Sequence, residues 1–133
     1  MNSVPLTLFL QRVLLFDAAT CLITGMVMLA AGGTVERLLA IPAQVSTALA
    51  VVLPAFAAAV AWVGTRRHLL RAAVWAIVAL NALWAVESML ALAFGWLEPN
   101  ALGRAFIIGQ AIAVAVIAEL QFVGLRRAKA VAA

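Results

Sequence analysis

Four long apolar stretches, three of them carrying a single acid, constrain this chain more than any other feature, because an α-helix needs about 20 apolar residues to cross the hydrocarbon core of a bilayer. They fall at about 13–31, 45–64, 72–94 and 105–125. The first stops at Gly32-Gly33, and the second lies in a stretch from Leu38 to Thr65 that carries no charge. The third holds only Glu87 as a charge, and the fourth only Glu119. Lipid gives backbone N–H and C=O groups no partner, so only helices or closed barrels cross it. Continuous apolar runs do not fit the alternating pattern of a barrel strand. The links are short: TVERLLA (34–40), RRHLLR (66–71) and GWLEPNALGR (95–104). The first reads as one or two amphipathic turns on the membrane surface before Pro42. In the last, Pro99-Asn100 reads as the start of the next helix. Short links join antiparallel neighbours, which predicts an all-α transmembrane four-helix bundle, up-down-up-down, as a single domain over residues 1–133.

Composition agrees. Of the 133 residues, 68% are hydrophobic and 11% charged, too few polar groups to cover a soluble surface. The net charge of +4 raises the question of nucleic acid. The basic residues, however, sit in short clusters between apolar runs and not along one face, which argues against a nucleic-acid partner. They read as topology signals. Arg12, Arg66, Arg67, Arg71, Arg126, Arg127 and Lys129 fall on one side, and only Arg37 and Arg104 on the other, each near an acid (Glu36, Glu98). The first side is expected in the cytoplasm, giving N-in/C-in. Trp62 and Trp75 suit that interface, and Trp96 the opposite one. The first segment does not read as a cleaved signal, because it lacks a basic leader and is interrupted by Arg12 and Asp17.

Two features bear on packing. The second segment is rich in small residues (Ala55, Ala57, Ala58, Ala59, Ala61, Gly64), which predicts close helix approach. Pro54 near its middle predicts a kink, read as a packing feature and not as a gate. A faint echo links Gly64-Thr65-Arg66-Arg67 to Gly124-Leu125-Arg126-Arg127; helices that end at a cytoplasmic interface in arginine account for it.

The intramembrane polar residues are the candidate functional groups. A charge near the bilayer centre costs about 2.5–3.5 kcal/mol on insertion scales, so it needs a partner, a cavity or a proton. Asp17, Cys21, Thr24 and Met28 recur at helical spacing on one stripe, flanked by Thr20. Asp17 reads first as an ion pair or hydrogen bond to a neighbouring helix, for instance to an arginine of the basic turn, and second as a proton or cation site. Asn81, Trp84 and Ser88 share a face of the third segment, with Glu87 turned about 100° from Ser88. Trp84 reads as core filling before cavity wall. Gln110 and Gln121 share a face of the fourth segment, and Glu119 lies opposite Gln110. Such a two-sided helix points to a homo-oligomer or a larger membrane complex, with Arg126 or Arg12 as alternative partners for Glu119.

Several chemistries find no support. The single histidine, His68, lies in the basic turn, so bis-histidine haem ligation within one chain is impossible. Cys21, Met26, Met28 and Met89 are soft ligands without a paired copper motif, and no metal site is expected. No nucleophile elbow, Walker loop or zinc signature is present, so no catalytic residue is assigned, no enzyme is marked and no cofactor is identified. Small multidrug-resistance transporters share the short four-helix plan and a carboxylate in the first helix. The charge bias opposes their dual topology, and their loop and helix signatures are absent.

The segments LLFDAATCLITGMVML (14–29), ERLLAIP (36–42), LNALWAVESML (80–90) and LGRAFIIGQAIAVAVIAELQFVGLRR (102–127) give the chain an order of features that resembles small DoxX-like bacterial inner-membrane proteins. The resemblance implies a multi-pass four-helix bundle in a bacterial inner membrane and supplies no catalytic residue. Three functional readings follow, in order. The first is a non-enzymatic accessory or scaffold protein acting by lateral contact with membrane proteins or lipids. The second is a small proton-linked transporter using Asp17, Glu87 and Glu119. The third is a binder of an apolar molecule such as a quinone, pigment or lipid beside Trp84.

Overall fold

The structure is a computed structural model and describes residues 5–132. Lys129, counted above in the basic cluster, lies outside the residues described at side-chain level. Four helices follow in order: α1 (Leu8–Leu39), α2 (Ala43–Gly64), α3 (Arg71–Ala93) and α4 (Ala101–Ala132). All four are long and apolar enough to cross a membrane. Large apolar side chains such as Ile23, Val51, Val86 and Ile112 stand exposed around the outside. Water would not tolerate so continuous an apolar surface, and lipid matches it. The chain is a multi-pass membrane protein.

Local chemistry sets the helix ends. The Thr7 hydroxyl caps α1 by accepting from the Leu10 amide at 3.2 Å. Helical dihedrals break at Ala31 (φ −129°, ψ 24°), beside the Gly32-Gly33 pair that ends the first apolar stretch. The chain then resumes helix to Leu39, so the 34–40 link is a continuation of α1 past a break. Ala40 closes it in the left-handed region (φ 55°), and its amide donates to the Glu36 carbonyl at 2.9 Å. Pro42 then starts α2. The second helix runs through Pro54 with helical dihedrals throughout, so the backbone break of this structure lies in α1.

Contacts across the bundle give an antiparallel arrangement. Gly64, at the end of α2, lies against Leu14 and Leu15 near the start of α1. Trp75, early in α3, meets Phe122, late in α4, edge to face at 5.5 Å. At the opposite end, Asn100 ties α4 to α1. Its Oδ1 accepts from the Gly103 amide at 2.8 Å, its Nδ2 donates to the Leu38 carbonyl at 2.7 Å, and its own amide donates to the Leu39 carbonyl at 3.2 Å. One residue thus caps the N-terminus of α4 and satisfies two carbonyls at the end of α1. Gly103 lies against the Leu39 carbonyl and Pro99, with no space for a Cβ.

The helices form an open horseshoe, α2–α1–α4–α3. Contacts are dense between α1 and α2 and between α3 and α4, fewer between α1 and α4, and scarce between α2 and α3. The closeness expected of α2 is realised against α1 alone. There the Pro54 ring seats on Gly25, where a Cβ would fall 2.6 Å from Pro54 Cδ. At the end carrying Arg66, Arg67, Arg71, Arg126 and Arg127, called here the basic end, the bundle is closed. Leu10, Leu14, Ala18, Ala57, Val60, Val63, Val74, Ile77 and Leu125 make one packed core there. The Leu6 amide straps the N-terminal segment over that end by donating to the Arg67 carbonyl at 3.0 Å. Towards the opposite end α2 and α3 no longer share core residues, and a cavity takes their place.

Candidate functional site

The inward stripe of each helix changes character one turn beyond the closed core. On α1 the stripe runs Leu10, Leu14, then Asp17; on α3 it runs Val74, Ile77, then Asn81; on α4 it runs back from Leu125 to Gln121. Helical spacing of three and four brings these polar residues to one level. All three are buried, with Gln121 at 0%, Asp17 at 2% and Asn81 at 4% exposure. Asn81 Nδ2 donates to Asp17 Oδ2 at 2.8 Å and to Gln121 Oε1 at 2.9 Å. Gln121 Nε2 donates to the same Asp17 Oδ2 at 2.8 Å. The Cys21 thiol reaches Asp17 Oδ1 at 3.5 Å. Asp17 therefore meets the amides of α3 and α4, not an arginine of the basic turn. Two amides on Oδ2 and a thiol on Oδ1 give each oxygen of this interior carboxyl group a partner, which a buried polar group requires.

Above this triad lies a cavity of about 530 Å³, within the range of small-molecule sites. Asp17, Cys21 and Asn81 form its floor. Ile41 and Leu97 line its far end. Leu49, Leu53 and Phe56 of α2, Leu80 of α3, and Phe106 and Ile107 of α4 supply apolar wall. A second polar network crosses the α3–α4 wall. Trp84 Nε1 donates to Gln110 Oε1 at 2.8 Å, Gln110 Nε2 donates to Ser88 Oγ at 3.0 Å, and Ser88 Oγ donates to the Trp84 carbonyl at 2.8 Å. Trp84 thus lines the cavity with a fixed indole, where the sequence favoured core filling.

Of the residues singled out in the sequence, Asp17, Cys21, Thr24, Asn81, Trp84, Glu87, Ser88 and Gln110 all line this one space, and Gln121 supports its floor. Glu87 is exposed and lines the cavity from the flank of α3 beside Leu80 and Leu83. Glu119 is separate. It stands exposed on the outer side of α4, and neither Arg12 nor Arg126 pairs with it among the described residues. The soft ligands do not gather either: Cys21 and Met28 line the cavity, whereas Met26 and Met89 are exposed on the outside.

Sequence reasoning missed the aromatic lining by Phe16, Phe56 and Phe106 and the seat made by Gly25. The rings come from three different helices with no shared local pattern. Gly25 does carry a signal, as a lone glycine in the middle of an apolar helix, which often marks a close helix approach in lipid.

No family model matches the chain, and neither a curated protein nor a solved structure matches it. The DoxX-like resemblance thus finds support only in the four apolar helices of a small membrane protein.

Proposed function

We propose that this protein binds a small, largely apolar molecule inside the membrane, in the cavity above the Asp17–Asn81–Gln121 triad. The observation that carries the reading is the cavity itself: about 530 Å³, apolar in its walls and polar at its floor, in a helix bundle that would otherwise be expected to pack shut. The sparse contact between α2 and α3 gives a lateral route from lipid, so the ligand need not cross the aqueous phase. We place the protein in a bacterial inner membrane with both termini cytoplasmic, on the charge bias of its links.

Binding of an apolar molecule fits the cavity better than proton-linked transport or an accessory role does. A proton-linked carrier would need a path from Asp17 to the basic end, and the Leu10, Leu14, Val60, Val74 and Leu125 core fills that path. An accessory role has one observation of its own. Glu119 is exposed on the outer side of α4, where a second copy or another membrane protein would supply its partner.

The test is extraction of the protein in native-lipid nanodiscs, followed by solvent extraction and mass spectrometry. Val114 lines the cavity and is half-buried, so Val114→Trp places an indole in the space. We expect a species enriched with the wild type to fall about tenfold in Val114→Trp at equal fold content, the equivalent of about 1.4 kcal/mol in binding. Identical extracts from the two proteins would remove the binding reading.

A further inference from the structure

The hydrogen-bond accounting of the cavity fixes the sign of what it can hold. Each side chain that lines it and carries a donor already uses that donor within the protein. The Thr20 hydroxyl donates to the Asp17 carbonyl at 2.9 Å, and the Thr24 hydroxyl to the Thr20 carbonyl at 2.8 Å. The Cys21 thiol is on Asp17 Oδ1. Both Asn81 N–H bonds are occupied, by Asp17 and Gln121. The Trp84 indole is on Gln110, and the Ser88 hydroxyl is on the Trp84 carbonyl. Both Gln110 N–H bonds are occupied, by Ser88 Oγ and by the Ile107 carbonyl at 3.0 Å.

What remains is acceptors. The orientation of the Asn81 amide is set by its neighbours, because turning it over would place an oxygen against Asp17 Oδ2 and Gln121 Oε1. Its Oδ1 is therefore left over, on a side chain 4% exposed, and it takes no hydrogen bond from a described residue. Glu87 adds a carboxylate that has no described basic residue beside it in the lining, and the hydroxyl oxygens of Thr20 and Thr24 keep lone pairs. Among the described residues the lining holds two acids, Asp17 and Glu87, and no lysine, arginine or histidine. It also presents the rings of Phe16, Phe56, Phe106 and Trp84, whose faces attract cations. This is unusual in a chain of net charge +4, and none of the described basic residues lines the cavity.

The geometry points to a lipophilic amine as the ligand: an apolar body in the cavity, with a primary or secondary ammonium group donating to acceptors of its lining, Asn81 Oδ1 and the Glu87 carboxylate foremost. This deepens the binding reading and rests on it. A quinone or other carbonyl-headed molecule brings only acceptors and meets no available side-chain donor. A carboxylate-headed one meets two acids as well.

The experiment measures saturable binding of tritiated dodecylamine to the full chain in phosphatidylcholine nanodiscs, a lipid without an N–H donor in its headgroup, with binding to protein-free discs subtracted. Unlabelled dodecylamine, dodecanol and dodecanoate compete. The amine is expected to compete at least about tenfold better than the alcohol, with the carboxylate weakest. Glu87 is exposed, so Glu87→Gln leaves the fold unchanged and is expected to remove most of that preference while sparing competition by dodecanol. Equal competition by all three, or an undiminished preference in Glu87→Gln, overturns the assignment of the head group and leaves the cavity standing as an apolar site. No saturable binding of the labelled amine, together with no ligand in the extracts described above, removes the inference and the binding reading together.

Discussion

Replacing Asp17 with alanine is expected to destabilise the folded bundle by on the order of 3 kcal/mol, because it leaves amide donors of two other helices without acceptors in a site closed to water. Three polar contacts end at the Asp17 carboxylate, from Asn81, Gln121 and Cys21. Interhelical hydrogen bonds in membranes average only about 0.6 kcal/mol, since the separated helices also find partners, so the bonds alone supply about half of that loss. The remainder comes from burying donors that have lost their acceptor. Both amides donate to the same Asp17 Oδ2, so Asp17→Asn keeps their acceptor with its own oxygen there and turns its N–H bonds toward the Cys21 thiol; a loss well below that of Asp17→Ala is expected. Reversible unfolding in mixed micelles reads both. A loss for Asp17→Ala within the ~0.5 kcal/mol typical of surface changes would mean that the triad does not hold the helices together.

Gly25→Ala is expected to be comparably damaging, about 2–3 kcal/mol, through overpacking and not through lost polarity. The added methyl carbon would lie 2.6 Å from Pro54 Cδ and 2.8 Å from Cγ, with Leu53 Cβ at 3.2 Å. A proline ring fused to the backbone cannot swing aside as a long side chain can. The helices must therefore separate along the densest interface of the bundle, α1 with α2. The clash belongs to a pair, so Pro54→Ala should rescue Gly25→Ala by more than it changes the wild type. A double-mutant cycle measures that coupling, and simple additivity would remove the steric account.

Much of this architecture was legible in the chain. The length rule for a bilayer crossing gave the number of helices; Gly32-Gly33, read as the end of the first, lies instead beside a break at Ala31 past which α1 continues to Leu39. Helical spacing gathered the polar residues into faces: Asp17 with Cys21 and Thr24, Asn81 with Trp84 and Ser88, Gln110 with Gln121. Spacing along one helix gives the face and not the neighbour. It therefore could not say that Asp17 meets Asn81 and Gln121, residues 64 and 104 positions away, in place of an arginine of the basic turn. The cavity was illegible for the same reason. It exists because α2 and α3, joined by a short turn, part company after their shared core at Val60 and Val74, and no residue in either helix announces that separation. The small residues of α2 did announce a close approach, but not to which helix.

Binding from lipid requires that the interior beyond the triad be open to apolar molecules from the bilayer while the basic end is packed solid. It is tested most directly by photolabelling the protein in nanodiscs with an alkyl diazirine dissolved in the lipid, followed by peptide mapping. Lipid-facing residues such as Val51 and Ile112 label in any case. The discriminating comparison is between side chains that are all buried from the outer surface: Asn81 and Ile107, which line the cavity, and Val60, Val74 and Leu125, which fill the closed core. Label is expected on Asn81 and Ile107 and not on the other three. Label confined to the outer surface would contradict binding from lipid.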